Sequence, residues 1–366
     1  MKLLSPIVLV LLLIACDATS PINFDCTTES ELDNIATRTV SMGFSTWSFG
    51  PRAADRNETY GYIKSHGDIY SEQVDDRIPW RAWMQGTDLP EEFVADIDYR
   101  VGQRTGLPLI LSVSLLNTGR DDLIEDWNGE PITYTRMDDR AIEDAYVAHV
   151  QYLVDRLSPD FLVVAMESND LLLHAPQHWE AFTSLMRKVR ARLTVAYPNL
   201  RIGESITLHS FYEPSTEDPN AYLERVTNYV NDLDFTAVSF YPFFKNQHTK
   251  VEYQSALDFL QSRITNPVGM VETNHLAEDL DVPSLDTFIT GNPCEQKEYL
   301  ETLLLHAHSQ QFLFVIWWAY KDYDALWATF PADIQPIGQI WRDTGLLDEN
   351  DTPRPAHAVW ESFLER

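Results

Sequence analysis

The stretch "NPVGMVETNH" (residues 266–275) sets the reading of the whole chain. Pro267 lacks a backbone donor and stops whatever precedes it. The apolar run after it, "VGMV", reads as a short buried strand. It leads straight into Glu272. A carboxylate left inside a core is costly without partners, so the strand has to deliver it to a place where charge is used. The segment "FLVVAMESND" (161–170) repeats the pattern with Glu167.

Outward from these two, the chain beyond residue 37 alternates short β-rich apolar runs with longer stretches of helical periodicity. The expected strands are 39–47, 66–74, 107–117, 160–168, 201–209, 234–242, 267–273 and 312–320. In "QHWEAFTSLMRKVRARL" (177–193), Trp179, Phe182, Met186, Val189 and Leu193 recur at three- and four-residue spacings, one face of a helix. Val147, Val150, Val154 and Leu157 do the same in 145–157. Eight strands, each followed by a helix, predict an α/β fold: a single-domain (β/α)8 TIM barrel over residues 37–366. A doubly wound open sheet is the rival, but no GxGxxG follows the first strand.

Of the 366 residues, 44% are apolar and 12% aromatic, enough for a large packed core. The formal net charge of -29 argues against nucleic acid or an anionic membrane surface as a partner and suits a neutral substrate. At the N-terminus, Lys2 precedes "LLSPIVLVLLLIAC", an apolar run of signal-peptide length. Its ending on Ala15–Cys16 resembles the bacterial lipoprotein signal. That resemblance implies removal of residues 1–15, lipidation of Cys16, a tether over 16–36, and a lipid-anchored protein of the bacterial cell envelope facing the periplasm or exterior. Of the three cysteines, Cys26 and Cys294 remain and could pair, though two cysteines make no framework. No CxxC or HExxH motif is present, and neither a metal nor a cofactor is expected.

In a (β/α)8 barrel the chemistry sits at the C-terminal ends of the strands. Glu167 and Glu272 fall there, on the fourth and seventh strands. Other strand ends supply Trp47, Gln73, Asp75, Asn117, His209, Tyr241, Trp317 and Trp318, with Asn169 just past the fourth. Carboxylates ringed by aromatic faces and hydrogen-bonding groups suit a sugar. Glycosidic cleavage needs one carboxylic acid to protonate the leaving oxygen and one carboxylate to attack or to activate water. Acidic runs such as "EDL" (278–280) read as solvated loop.

These strand ends resemble the clan A retaining glycoside hydrolases, in which the acid/base Glu ends strand four and the nucleophile Glu ends strand seven. "VVAMESND" is similar to the acid/base strand, "VETN" to the nucleophile strand, and "IWWAY" to a strand-eight segment bearing an active-site Trp. "DFTAVSFYPFF" is similar to strand six of the endo-β-1,4-galactanases, whose Tyr contacts the nucleophile; that implies this role for Tyr241. The resemblance implies Glu167 as acid/base and Glu272 as nucleophile of a monomeric, cofactor-free glycosidase acting on a β-linked glycan. Two features depart from it. Met166 stands where clan A has Asn, with Asn169 as the expected substitute, and "MGFSTWSFG" lacks the galactanases' first-strand pattern. A non-hydrolytic carbohydrate-binding lipoprotein on the same barrel is the alternative. A barrel amidase would need a metal motif or a GxSxG elbow, and neither occurs.

Overall fold

The computed structural model describes residues 26, 30–75 and 77–366. Eight parallel strands close a barrel: β1 (Ser41–Ser45), β2 (Ile69–Val74), β3 (Leu109–Val113), β4 (Phe161–Val163), β5 (Arg201–Thr207), β6 (Thr236–Phe240), β7 (Val268–Thr273) and β10 (Phe314–Trp317). The order around the barrel is β1-β10-β7-β6-β5-β4-β3-β2, so every strand lies beside its chain neighbour among the barrel strands. The helices return the chain on the outside, among them Ala53–His66, Glu91–Gly102, Arg140–Leu157, Trp179–Ala196, Pro219–Val230, Lys250–Arg263, Pro293–Ser309 and Pro355–Leu364. The faces expected from spacing are the buried ones: Trp179, Phe182, Met186, Val189 and Leu193 all pack inward.

The core has two layers. Between strands and helices lies the large apolar cluster; inside the barrel a smaller one holds Ile69, Ile110, Val163, Met166, Phe235, Val271, Phe314 and Ile316. The inner layer rests on three rings: Phe161, Phe235 and Phe314 meet edge-on at 5.2–6.0 Å between centroids. Glycine makes room for them. A Cβ on Gly269 would come within 2.4 Å of the Phe314 ring.

Three details differ from the sequence expectation. An antiparallel hairpin, β8 (Leu280–Val282) with β9 (Thr287–Ile289), follows β7. It begins in the stretch read as solvated loop, yet Leu280 is buried beside Tyr241 and Phe243. The end of the expected tether is held on the barrel: residues Glu31–Asn34 form a 3-10 turn, Leu32 is buried, and Arg366 pairs with Asp33. Third, β4 ends at Val163, short of the expected 168, because Glu167 adopts a left-handed conformation (φ 53°) and starts the helix Ser168–His174. Cys26 and Cys294 form a disulfide with Cα atoms 5.3 Å apart, joining the N-terminal arm to the helix Pro293–Ser309. Cys16 lies outside the described residues, and no described helix is long and apolar enough to cross a membrane.

Candidate active site

The position of Glu272 depends on a register irregularity. Along β7, Met270 faces the outer core and Val271 the barrel interior, so strict alternation would turn Glu272 outward. Opposite β6, however, Met270 pairs with Val238 and Glu272 pairs with the next residue, Ser239. Val271 is the extra residue of a β-bulge, and a bulge re-aims the side chain that follows it. Glu272 therefore enters the mouth, half-buried. Gln73 Nε2, from the end of β2, donates to its Oε2 at 2.9 Å, and the Tyr241 hydroxyl donates to its Oε1. Burial raises the Glu272 carboxyl above its ordinary range, and the charge of Glu167 raises it further. The Tyr241 and Gln73 donors pull the other way, since they favour the ionised form.

Glu167 reaches the same mouth from the left-handed turn after β4. Its backbone N–H donates to Ser205 Oγ at 2.7 Å. Arg120 binds Oε2 through Nε at 3.1 Å and Nη2 at 2.8 Å. Among the described residues no hydrogen bond reaches Oε1. Asp170, one turn along the helix, is pushed up to about 6 by burial and by the Glu167 charge. His209 follows β5; burial lowers it to about 4, so its ring is neutral at ordinary pH, and its buried Nδ1 has no partner among the described residues.

Aromatic residues complete the wall. Trp47 and Trp318 lie 5.1 Å apart between ring centroids, Trp341 is 6.1 Å from Trp318, and Tyr241 is 5.9 Å from Trp341. Among the described residues the indole N–H groups of Trp47, Trp318 and Trp341 are buried without a partner. Unpaired donors around a carboxylate pair are what a hydroxyl-rich ligand would satisfy. Asp75, exposed, acts electrostatically on Glu272. A cleft of about 280 Å3 opens beside Gln73 and Trp47, between the loops after β1 and β2.

The structure thus gathers Glu167, Glu272, Trp47, Gln73, Asp75, His209, Tyr241 and Trp318 at one mouth. Three expected residues serve elsewhere. Trp317 points outward, fully buried, with its indole N–H on the Thr344 carbonyl. Asn169 is also fully buried: its Oδ1 accepts from Thr207 N–H, and its Nδ2 donates to the Tyr222 hydroxyl. It therefore ties the helix to β5 and, fully buried, is not the exposed sugar contact expected from the sequence. Asn117 spends its side chain on the loop after β3, bonding Asp121 and Asp122. Sequence reasoning missed Arg120, on the loop after β3, and Trp341, in the 3-10 turn Gln339–Trp341; neither segment carries a period.

No known protein-family profile matches the chain, and no curated protein sequence does. Solved structures do match. A GH5_18 protein of Bifidobacterium longum subsp. longum, solved in complex with Manb1-4GlcNAc, aligns over 89% of this chain and 78% of its own, with TM-score 0.63 and 16% identity. The chain shares that barrel. It also matches the exo-beta-1,4-mannosidase of an Opitutaceae bacterium over 89% of its length, spanning 59% of that enzyme, at TM-score 0.63 and 12% identity. The Ignisphaera aggregans GH53 catalytic domain aligns over 91% and 92% of the two chains, at TM-score 0.56 and 13% identity. At these identities the likeness is one of fold.

Proposed function

We propose that the protein is a retaining glycoside hydrolase acting on a neutral, β-linked poly- or oligosaccharide. The observation that carries this reading is the pairing at one mouth of Glu272, held at both oxygens by neutral donors, with Glu167, whose Oε1 is open to a ligand. In the proposed reaction the Glu272 carboxylate attacks the anomeric carbon while Glu167 protonates the departing oxygen. Glu167, now ionised, then takes a proton from the water that cleaves the glycosyl ester. Tyr241 and Gln73 keep Glu272 oriented and favour its charged form. Trp318 and Trp47 offer flat faces to the sugar, and His209 and the indole N–H groups meet its hydroxyls. No step calls for a cofactor. The mannosidase name among the structural neighbours and the likeness of "DFTAVSFYPFF" to strand six of the galactanases support trying β-mannan, β-galactan and their oligosaccharides first.

Glu272→Ala is expected to abolish release of new reducing ends from whichever glycan the native protein cleaves. Added azide is expected to restore turnover as a glycosyl azide of inverted configuration. Near-native hydrolysis by Glu272→Ala sinks the assignment.

The proposal extends to place. The protein acts as a monomer held by a lipid on Cys16 at the bacterial envelope, facing the periplasm or exterior. The basis is the "LIAC" junction of the sequence. Metabolic labelling with palmitate tests the anchor: label retained in Cys16→Ser contradicts it.

A further inference from the structure

Arg120 belongs to no strand end, yet the chain builds a device to present it. Leu116 and Leu123 form an antiparallel bridge that closes a short loop. Asn117 organises it: its Oδ1 accepts from the backbone N–H groups of Asp121 at 3.1 Å and Asp122 at 3.4 Å, and its Nδ2 donates to Asp121 Oδ1 at 2.7 Å. His174, at the end of the helix that Glu167 begins, is 2.7 Å through Nδ1 from the Gly119 carbonyl. Loop and helix are thereby joined. Arg120 takes a left-handed conformation (φ 51°), uncommon for a residue with a Cβ. Its Nη1 donates to the Asn117 carbonyl at 2.8 Å, and the rest of the guanidinium lies on Glu167. The group is mostly buried, with 16% of its side chain exposed.

The contact is asymmetric. Nε and Nη2 both converge on Oε2 and leave Oε1 free. Oε2 is thus anchored to a permanent cation while Oε1 remains for proton exchange. The guanidinium also faces the carboxylates of Glu272 and Asp170. The charged and titratable groups around Glu167 are therefore Arg120 from the loop after β3, Glu272 from β7, Asp170 on its own helix, His209 after β5, and Tyr241 at the end of β6. Arg120 is the one cation among these five, the His209 ring and the Tyr241 phenol being neutral. A proton shared by the carboxyl pair goes where the local field puts it. A cation docked on Glu167 favours the proton on Glu272, whereas the proposed first step needs it on Glu167.

We propose that Arg120 is a positioning residue for the reaction at this site: it fixes Glu167 through Oε2, aims Oε1 at the glycosidic oxygen, and sets the pH range over which the carboxyl pair is competent. The inference rests on the reading of Glu167 as the acid/base group. Removing the cation lets the pair hold its proton to higher pH, so the alkaline limb of activity moves up.

The test uses the native full-length protein with 4-nitrophenyl β-mannoside and β-galactoside and their 2,4-dinitrophenyl counterparts. Departure of 4-nitrophenol gains from protonation, and departure of the dinitrophenol does not. In Arg120→Met the alkaline limb of kcat/KM for the 4-nitrophenyl substrate is expected to rise by about one pH unit, the size of a close charge pair. Arg120→Lys, which keeps the charge, is expected to restore most of the native profile. A merely structural role would lower kcat/KM at every pH alike. An unshifted limb in an Arg120→Met variant with native Tm overturns the proposal. Undiminished 4-nitrophenyl hydrolysis by Glu167→Ala overturns the acid/base reading of Glu167, and the role of Arg120 with it. A slowed Glu167→Ala beside an unshifted Arg120→Met removes only the inference about Arg120.

Discussion

Glu272 receives one donor on each oxygen, and the two come from different strands: Gln73 from β2 and Tyr241 from the end of β6. Both stabilise the carboxylate against burial and against the negative charge of Glu167. A hydrogen bond to a charged group contributes about 1.5–3 kcal/mol, so Tyr241→Phe is expected to lower kcat/KM by roughly ten- to a hundredfold. The sign of the pH effect follows from the same contact. Without the Tyr241 donor, Glu272 keeps its proton to higher pH, and the acid limb of kcat/KM moves upward. Unchanged activity and an unmoved acid limb would show that the phenol does not act on Glu272. At this scale the sequence was readable wherever chemistry sits at a strand end: Glu167, Glu272, Tyr241, His209, Trp47 and Trp318 all follow apolar runs and all reach the mouth. It was silent on Arg120, whose loop carries turn residues but no period. It misled at Asn169, because a helix begins one residue earlier, at Ser168, and turns that amide into the wall between helix and strand.

Strand alternation decides which of two neighbouring tryptophans reaches the mouth. In β10, Phe314 and Ile316 face the barrel interior while Val315 and Trp317 face the helices, which returns Trp318 to the mouth. "IWWAY" alone could not separate them, since a slip of one residue exchanges the two faces. The two truncations should therefore part company. Trp317→Ala removes a fully buried ring at about 3–5 kcal/mol, so Tm falls while KM of the folded fraction changes little. Trp318→Ala is expected to raise KM several-fold with a smaller loss of Tm. Thermal melts and kinetics on both variants check this, and the reverse pattern would contradict the assignment. The bulge in β7 is the opposite case. Periodicity read through Met270 and Val271 turns Glu272 away from the mouth, and only the pairing with Ser239 reveals the extra residue. Such a bulge has no signature in one strand's sequence because it exists only relative to the neighbouring strand.

Across the whole molecule, eight apolar runs in order were enough to expect a closed parallel barrel, and the barrel closes with β10 beside β1. The hairpin β8–β9 and most of the clamped arm were illegible for a shared reason: each is held by contacts distant in sequence. Leu280 and Val282 pack with Tyr241, Phe243 and Ile340, and Arg366 reaches Asp33; of the arm's contacts the sequence offered only the pairing of Cys26 with Cys294, as an open possibility. The closed barrel is also what brings Glu167, in the turn after the fourth strand, and Glu272, on the seventh, to one mouth. The central claim is that Glu272 forms a covalent bond to the sugar. A 2-deoxy-2-fluoro β-glycosyl fluoride of the preferred sugar should trap that intermediate, because fluorine at C2 slows its hydrolysis. Mass analysis of the digested protein is expected to find one fluoroglycosyl group per chain, on Glu272. A label on another carboxylate, or product of inverted configuration with no label at all, would contradict the account.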